Sequence, residues 1–157
     1  MLPFLFSFFT IPFTFAHIAQ HDLICRKCGH TITKHTEILR LPSPKTADFS
    51  YEMDVLGTNT TVNVFTNPSK ETFHVLTTKT ANLKFAGTAS TDATWFPGKK
   101  WTICVCSRCG THMGWYFEPQ TSNHPHVTPP EGQSFVGIVM DYVVSSDYAD
   151  SRVVIPK

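Results

Sequence analysis

This 157-residue chain has almost no excess of either kind of charge. Its 13 lysines and arginines stand against 12 aspartates and glutamates, a formal net charge of +1. No lysine and arginine cluster forms, which argues against nucleic acid as the main partner, because phosphate binding needs a concentrated basic face. Helical periodicity is scarce too. Only Ile32 to Leu39 suits one or two turns of helix, and no heptad pattern or internal repeat appears. Carboxylates such as Glu37, Asp54 and Asp141 show no paired-acid spacing. No apolar run reaches the roughly 20 residues that a membrane-spanning helix needs. The length allows a single domain of ordinary size.

The first 16 residues, MLPFLFSFFTIPFTFA, hold no charged side chain and are rich in Phe, Leu and Ile. Too short to span a bilayer, they fit a secretory signal peptide with Thr14-Phe15-Ala16 as a small-x-small cleavage site. A buried N-terminal strand is the other reading. Residues 17–157 then form the mature single domain, secreted and free of the membrane once the signal is removed. Asn59-Thr60-Thr61 is a glycosylation sequon and suits that compartment. Asn67-Pro68-Ser69 is disqualified as one by its proline.

Five cysteines are an odd number for a secreted disulfide framework. Their spacing suggests another use. Cys25-x-x-Cys28-Gly and Cys106-x-x-Cys109-Gly are two matching knuckles, each aiming two thiolates at one point. Together they supply the tetrahedral four-sulfur set of one structural Zn2+ ion, and two disulfides are the alternative. The long interval between the knuckles would make the metal tie the start of the domain to its late part. Cys104 is left over, a small buried hydrophobe in a strand. The eight histidines are scattered; His30, His124 and His126 suit solvent or local hydrogen bonds, and His112 could shield the sulfurs.

Strand signals dominate the rest. They cover Thr61–Phe65, Thr72–Thr77, Thr102–Cys106 and its hairpin partner His112–Phe117. A buried strand follows over Phe135–Met140 and Tyr142–Val144, with a possible last strand at Arg152–Ile155. Residues 119–133 are polar and proline-rich, hence a surface loop. The expected fold class is all-β and mostly antiparallel.

All three tryptophans fall between residues 95 and 115, around the second knuckle. Trp95-Phe96-Pro97-Gly98 has the residues of a tight turn, with Pro97 fixing one dihedral and Gly98 permitting the next. Trp101 opens the strand entering the knuckle and Trp115 lies on the strand leaving it. Three converging indoles make a cage for a flat or weakly cationic ligand. By composition alone an ordinary tryptophan core is the commoner outcome.

The order Cys25-x-x-Cys28, Asn67-Pro68, Trp95-Phe-Pro-Gly-x-x-Trp101, Cys106-x-x-Cys109 and Gly114-Trp115-x-Phe117 resembles the CULT domain, the thalidomide-binding domain family of cereblon. The resemblance covers roughly residues 20 to 145. It implies a β-tent, two antiparallel sheets pinned together at zinc. It also implies a pocket walled by Trp95, Trp101 and Trp115 and closed by Phe117, with Asn67 and Pro68 on a neighbouring loop. Family ligands are cyclic imides such as glutarimide and succinimide, or uracil-like rings, bonded to the backbone of the segment before Trp95. Here that segment is Asp92-Ala93-Thr94. Ala93 and Ser69 stand where the family carries histidines, so imide binding should survive while contacts to larger substituents are altered.

The implied protein is a stand-alone, secreted binder of such rings, free or as the cyclised terminus of a protein, with no catalytic activity. It lacks room for the family's Lon-like domain and its ligase-docking helical segment, so no ubiquitin-ligase adaptor is expected. Two alternatives come from other classes. One is a zinc-containing enzyme like methionine sulfoxide reductase B, for which Cys104 is the only spare thiol. The other is a protein-interaction module whose tryptophans are only core.

Overall fold

A computed structural model describes residues 22–121 and 133–151. Two antiparallel sheets make up the domain. The smaller joins β1 (Asp22–Cys25), β2 (Thr31–Lys34) and β10 (Val143–Ser145) in the order β10-β1-β2. The larger contains β3 (Phe49–Val55), β4 (Thr58–Thr66), β5 (Thr72–Thr78), β6 (Leu83–Ser90), β7 (Lys99–Cys106), β8 (His112–Pro119) and β9 (Phe135–Val139). Its order is β3-β4-β5-β9-β8-β7-β6. The one described α-helix is the short α1, Ser146–Ser151. The expected all-β fold of two antiparallel sheets is what the chain forms.

Two cores lie on opposite faces of the large sheet, as the two-residue side-chain period requires. On one face Leu76, Val136, Ile138, Cys106 and Met113 pack against Leu23, Cys25, Ile32 and Val143 of the small sheet. On the other face Phe65, Val75, Phe117 and Phe135 gather with Phe96, and all three tryptophans pack against them. Strand β9 is buried along its whole length because both cores need it.

Glycines let β8 and β9 run close enough for this. A Cβ at Gly114, whose φ is +149°, would lie 1.9 Å from the Gly137 carbonyl oxygen. A Cβ at Gly137 would meet Val75 Cγ1 at 2.9 Å and the Phe117 ring at 3.1 Å. The cleared space is where Phe117 sits.

Two local expectations are corrected. Ile32–Leu39 is not helical: it supplies most of β2 and then a single 3-10 turn at His35–Glu37. Ile32 is buried between the sheets and Thr33 is buried beside it, so tertiary burial overrides the weak helical spacing. The continuous strand expected through Val144 is instead broken by a 3-10 turn at Met140–Tyr142. That turn lets the chain leave the large sheet at Val139 and enter the small one at Val143. The signal-peptide segment, the strand at Arg152–Ile155 and most of the proline-rich loop lie outside the described residues.

Candidate functional site

The two knuckles fold alike. In each, the first cysteine's N–H donates to the carbonyl five residues on, Cys25 to His30 and Cys106 to Thr111, both at 2.8 Å. In each, the glycine four residues on donates back to that cysteine's carbonyl, at 2.9 Å. Gly29 and Gly110 both have φ of +70°, a backbone state that glycine adopts at no steric cost. The shared Cys-x-x-Cys-Gly pattern thus produces matching local geometry.

The knuckles come from different sheets and meet sulfur to sulfur. Cys25 Sγ lies 3.8 Å from Cys109 Sγ, and Cys28 Sγ lies 3.7 Å from Cys106 Sγ. All four sulfurs fall within 4.8 Å of one another. A tetrahedral ion with metal–sulfur distances of about 2.3 Å separates its sulfurs by about 3.8 Å, so the observed spacing fits such an ion. None of the cysteines is disulfide-bonded, which removes the two-disulfide alternative. The four cysteines therefore form a cluster that could hold a metal ion. Thr111, through its hydroxyl 3.3 Å from Cys109 Sγ and through its backbone, holds that thiol down to about 6, favouring the thiolate a metal requires. His112, next to Thr111, has its ring edge-on to Trp115, with centroids 4.7 Å apart.

Back along the same hairpin lies a cavity of about 270 Å³, lined by Asn67, Pro68, Asp92, Ala93, Trp95, Trp101, Trp115 and Phe117. All seven residues singled out for ligand contact are among them. A volume just below the range of roughly 300–1,000 Å³ typical of small-molecule sites suits a single ring rather than an extended ligand. The tryptophans are half-buried, so they wall an open space instead of filling a core.

Each wall has its own support. Trp95 stacks on Phe65 at 4.6 Å with rings 4° from parallel. It also meets Trp115 nearly at right angles, at 4.7 Å. Phe73 packs behind both, 5.8 Å from Trp95 and 5.2 Å from Trp115. Such pairs contribute about 1 kcal/mol each beyond the area they bury. Trp101 is tied differently: its indole N–H donates to the Asp92 carbonyl at 2.8 Å. Phe117 is 1% exposed and forms the floor, held by Phe96 at 4.7 Å and Phe135 at 5.3 Å.

Turns deliver the remaining lining residues. Lys99 N–H donates to the Phe96 carbonyl at 3.0 Å across Pro97 and Gly98, whose φ is +80°. The turn expected at Pro97-Gly98 is present and is of type II. The Thr46 hydroxyl also donates to the Trp95 carbonyl. Asn67 folds its own loop: its side-chain oxygen accepts from Glu71 N–H at 2.9 Å and its Nδ2 donates to the Glu71 carboxylate at 2.8 Å. Pro68 is thereby presented to the cavity. Ala93 sits at φ +48°, the left-handed region that alanine rarely adopts, so the rim segment holds a strained turn. Among the described residues nothing bonds to the Ala93 carbonyl or to the Trp95 N–H.

Residue spacing had not singled out Phe65, Phe73 or Thr46 for this site, whereas Asp92 belongs to the segment before Trp95 that the resemblance implied and His112 had been read only beside the sulfurs. Phe65 and Phe73 read only as strand residues, because their part depends on β4 and β5 pairing in register at Phe65↔Phe73. Thr46 lies far along the chain and had no signal.

Geometry thus defines the class first: a cysteine-clamped, two-sheet β-domain with an open aromatic cavity. Residue comparison then supports a likeness to the CULT domain of cereblon. No family model matches the chain. It is 37% identical over 100 residues to the protein cereblon of Gallus gallus, 61% of this chain and 19% of that protein. Over the same shares it is 37% identical to cereblon of Xenopus tropicalis and 36% identical to that of Danio rerio. The chain therefore spans about a fifth of the length of the curated relatives it matches.

Proposed function

We propose that this chain is a small-molecule-binding module that holds a cyclic imide, such as glutarimide or succinimide, or a uracil-like ring between Trp95, Trp101 and Trp115. The observation that carries the reading is the one-ring cavity walled by three indoles, whose lining residues Ala93 and Trp95 keep a backbone carbonyl and a backbone N–H without a partner among the described residues. An imide or uracil ring carries an N–H beside a carbonyl and can match both. Desolvating its polar edge then costs little. Asn67 and Pro68 close one side and Phe117 the floor. The ring can be a free metabolite or the cyclised end of a protein chain.

Zn2+ is the proposed ion for Cys25, Cys28, Cys106 and Cys109, because four thiolates at tetrahedral spacing suit it. Its part is structural, joining the sheets and fixing the hairpin that carries Trp101 and Trp115. The chain is further proposed to be a secreted glycoprotein, with residues 1–16 as signal peptide. Asn59 is exposed beside the β3–β4 turn, as a glycan would require.

No catalysis is proposed. The spare thiol, Cys104, is fully buried, and burial pushes it up to about 12, so little thiolate is present at neutral pH. That counts against a reductase resembling methionine sulfoxide reductase B. Calorimetric titration with glutarimide and with uracil tests the reading. Saturable one-to-one binding that Trp101→Ala abolishes, with zinc content unchanged, is expected; no heat with either ring would refute it.

A further inference from the structure

Charge is nearly absent from the cavity, which makes its one instance informative. Of the eight lining residues only Asp92 carries a charge. Its backbone is anchored at both polar groups: its N–H donates to Ser90 Oγ at 3.1 Å and its carbonyl accepts from Trp101 at 2.8 Å. Its side chain is exposed at the rim and has no partner among the described residues.

Neighbouring charges do not offset it. On the loop that carries Asn67 and Pro68, Glu71 is engaged by Asn67 and is adjacent in sequence to Lys70, so that loop adds no net charge. Lys99 lies over the Phe135 ring at 5.9 Å and bonds the Gln133 carbonyl. Lys100 pairs with Glu118 at 3.7 Å. The lysines of β7 are therefore engaged away from the rim. The indole walls act in the same sense as Asp92, because aromatic faces carry negative potential that attracts cations.

Building on the small-ring reading above, we infer that the cavity mouth selects by charge, with Asp92 as the specificity-determining residue. Rings bearing a cationic substituent bind best, neutral ones less well and anionic ones worst. A unit charge about 6 Å away in a water-filled mouth changes affinity by about threefold, so a cation and an anion should differ by about tenfold. Salt should weaken the preference, since the carboxylate is exposed.

The test uses glutarimides carrying a trimethylammonium, a tert-butyl or a carboxylate group on the same ring carbon, together with unsubstituted glutarimide. The first two have the same shape and differ only in charge. Calorimetry at 20 mM and 200 mM NaCl is expected to rank them ammonium, tert-butyl, carboxylate, about tenfold from end to end at low salt and less at high salt. Asp92→Asn should compress that range to about threefold or less. A flat or reversed order in the unmodified protein overturns the inference, as does a range that Asp92→Asn leaves as steep. Failure of both unsubstituted glutarimide and uracil to bind overturns the small-ring reading itself, and the charge preference with it.

Discussion

At the turn of the β7–β8 hairpin four thiols converge until their sulfurs are 3.7–3.8 Å apart across the sheets, whereas a few residues back three indoles line an open cavity. The same two strands carry both arrangements. The clamp is assembled from two identical local motifs, each complete in six residues of backbone hydrogen bonding. The cavity depends on residues scattered from Thr46 to Phe135, and no local motif encloses it. A clamp at the hairpin's end fixes the strands, which lets the middle stay open without collapsing. Empty apolar space is costly, and it persists only where the surrounding frame cannot close in.

Changes at the clamp should have the largest effect. Cys28→Ser, or removal of metal by a strong chelator, is expected to cost on the order of 5 kcal/mol and to release the bound metal. Metal analysis and thermal melting check it, and ring binding should be lost together with the fold. Gly114→Ala comes next, because its Cβ would meet the Gly137 carbonyl at 1.9 Å with no flexible group to yield. A loss of about 3 kcal/mol in urea unfolding is expected, with the cysteine cluster still able to take metal.

Much of the clamp was legible in advance because Cys-x-x-Cys-Gly is a local code, and spacing alone places both sulfurs and the turn glycine. The tryptophans were legible through the Pro97-Gly98 turn and the hairpin around the second knuckle. Strand β3 was not, because its hairpin turn is Leu56-Gly57, with φ of +55° and +77°. Leucine rarely adopts that state, and a turn of this kind usually shows Asn or Asp before the glycine. Edge strand β6, LKFAGTAS, escaped notice for a different reason. It is largely exposed and shifts register between Ala86 and Ser90, so no alternation marks it. The Phe65 and Phe73 supports behind the cage are set by sheet pairing, which no short window of residues reveals.

At the cavity, milder changes separate shape from hydrogen bonding. Trp101→Phe keeps an aromatic wall but loses the N–H that holds the Asp92 carbonyl. Ring affinity should fall about five- to tenfold, as expected for one lost hydrogen bond of about 1 kcal/mol. A loss as complete as with Trp101→Ala would mean that the indole face itself is irreplaceable.

The smallest effect concerns His112, set edge-on between Trp115 and Tyr142. Burial lowers its imidazole pKa, only partly countered by its hydrogen bond to the Gly114 carbonyl. The unfolded chain therefore binds more protons than the folded one between the lowered value and about 6.5. This histidine's contribution to stability is fully present above that window and lost as pH falls through it. An NMR titration of the ring should give a midpoint below the ordinary histidine value.

The central claim is that three tryptophans wall one ring-binding cavity, and the chain's possession of only three makes it directly observable. In a 1H–15N spectrum of the zinc-loaded protein they should give three indole N–H signals, the Trp101 signal displaced by its bond to Asp92. Adding glutarimide should shift all three in a single saturable transition. Three indole signals that stay in place at millimolar glutarimide and uracil would contradict the account.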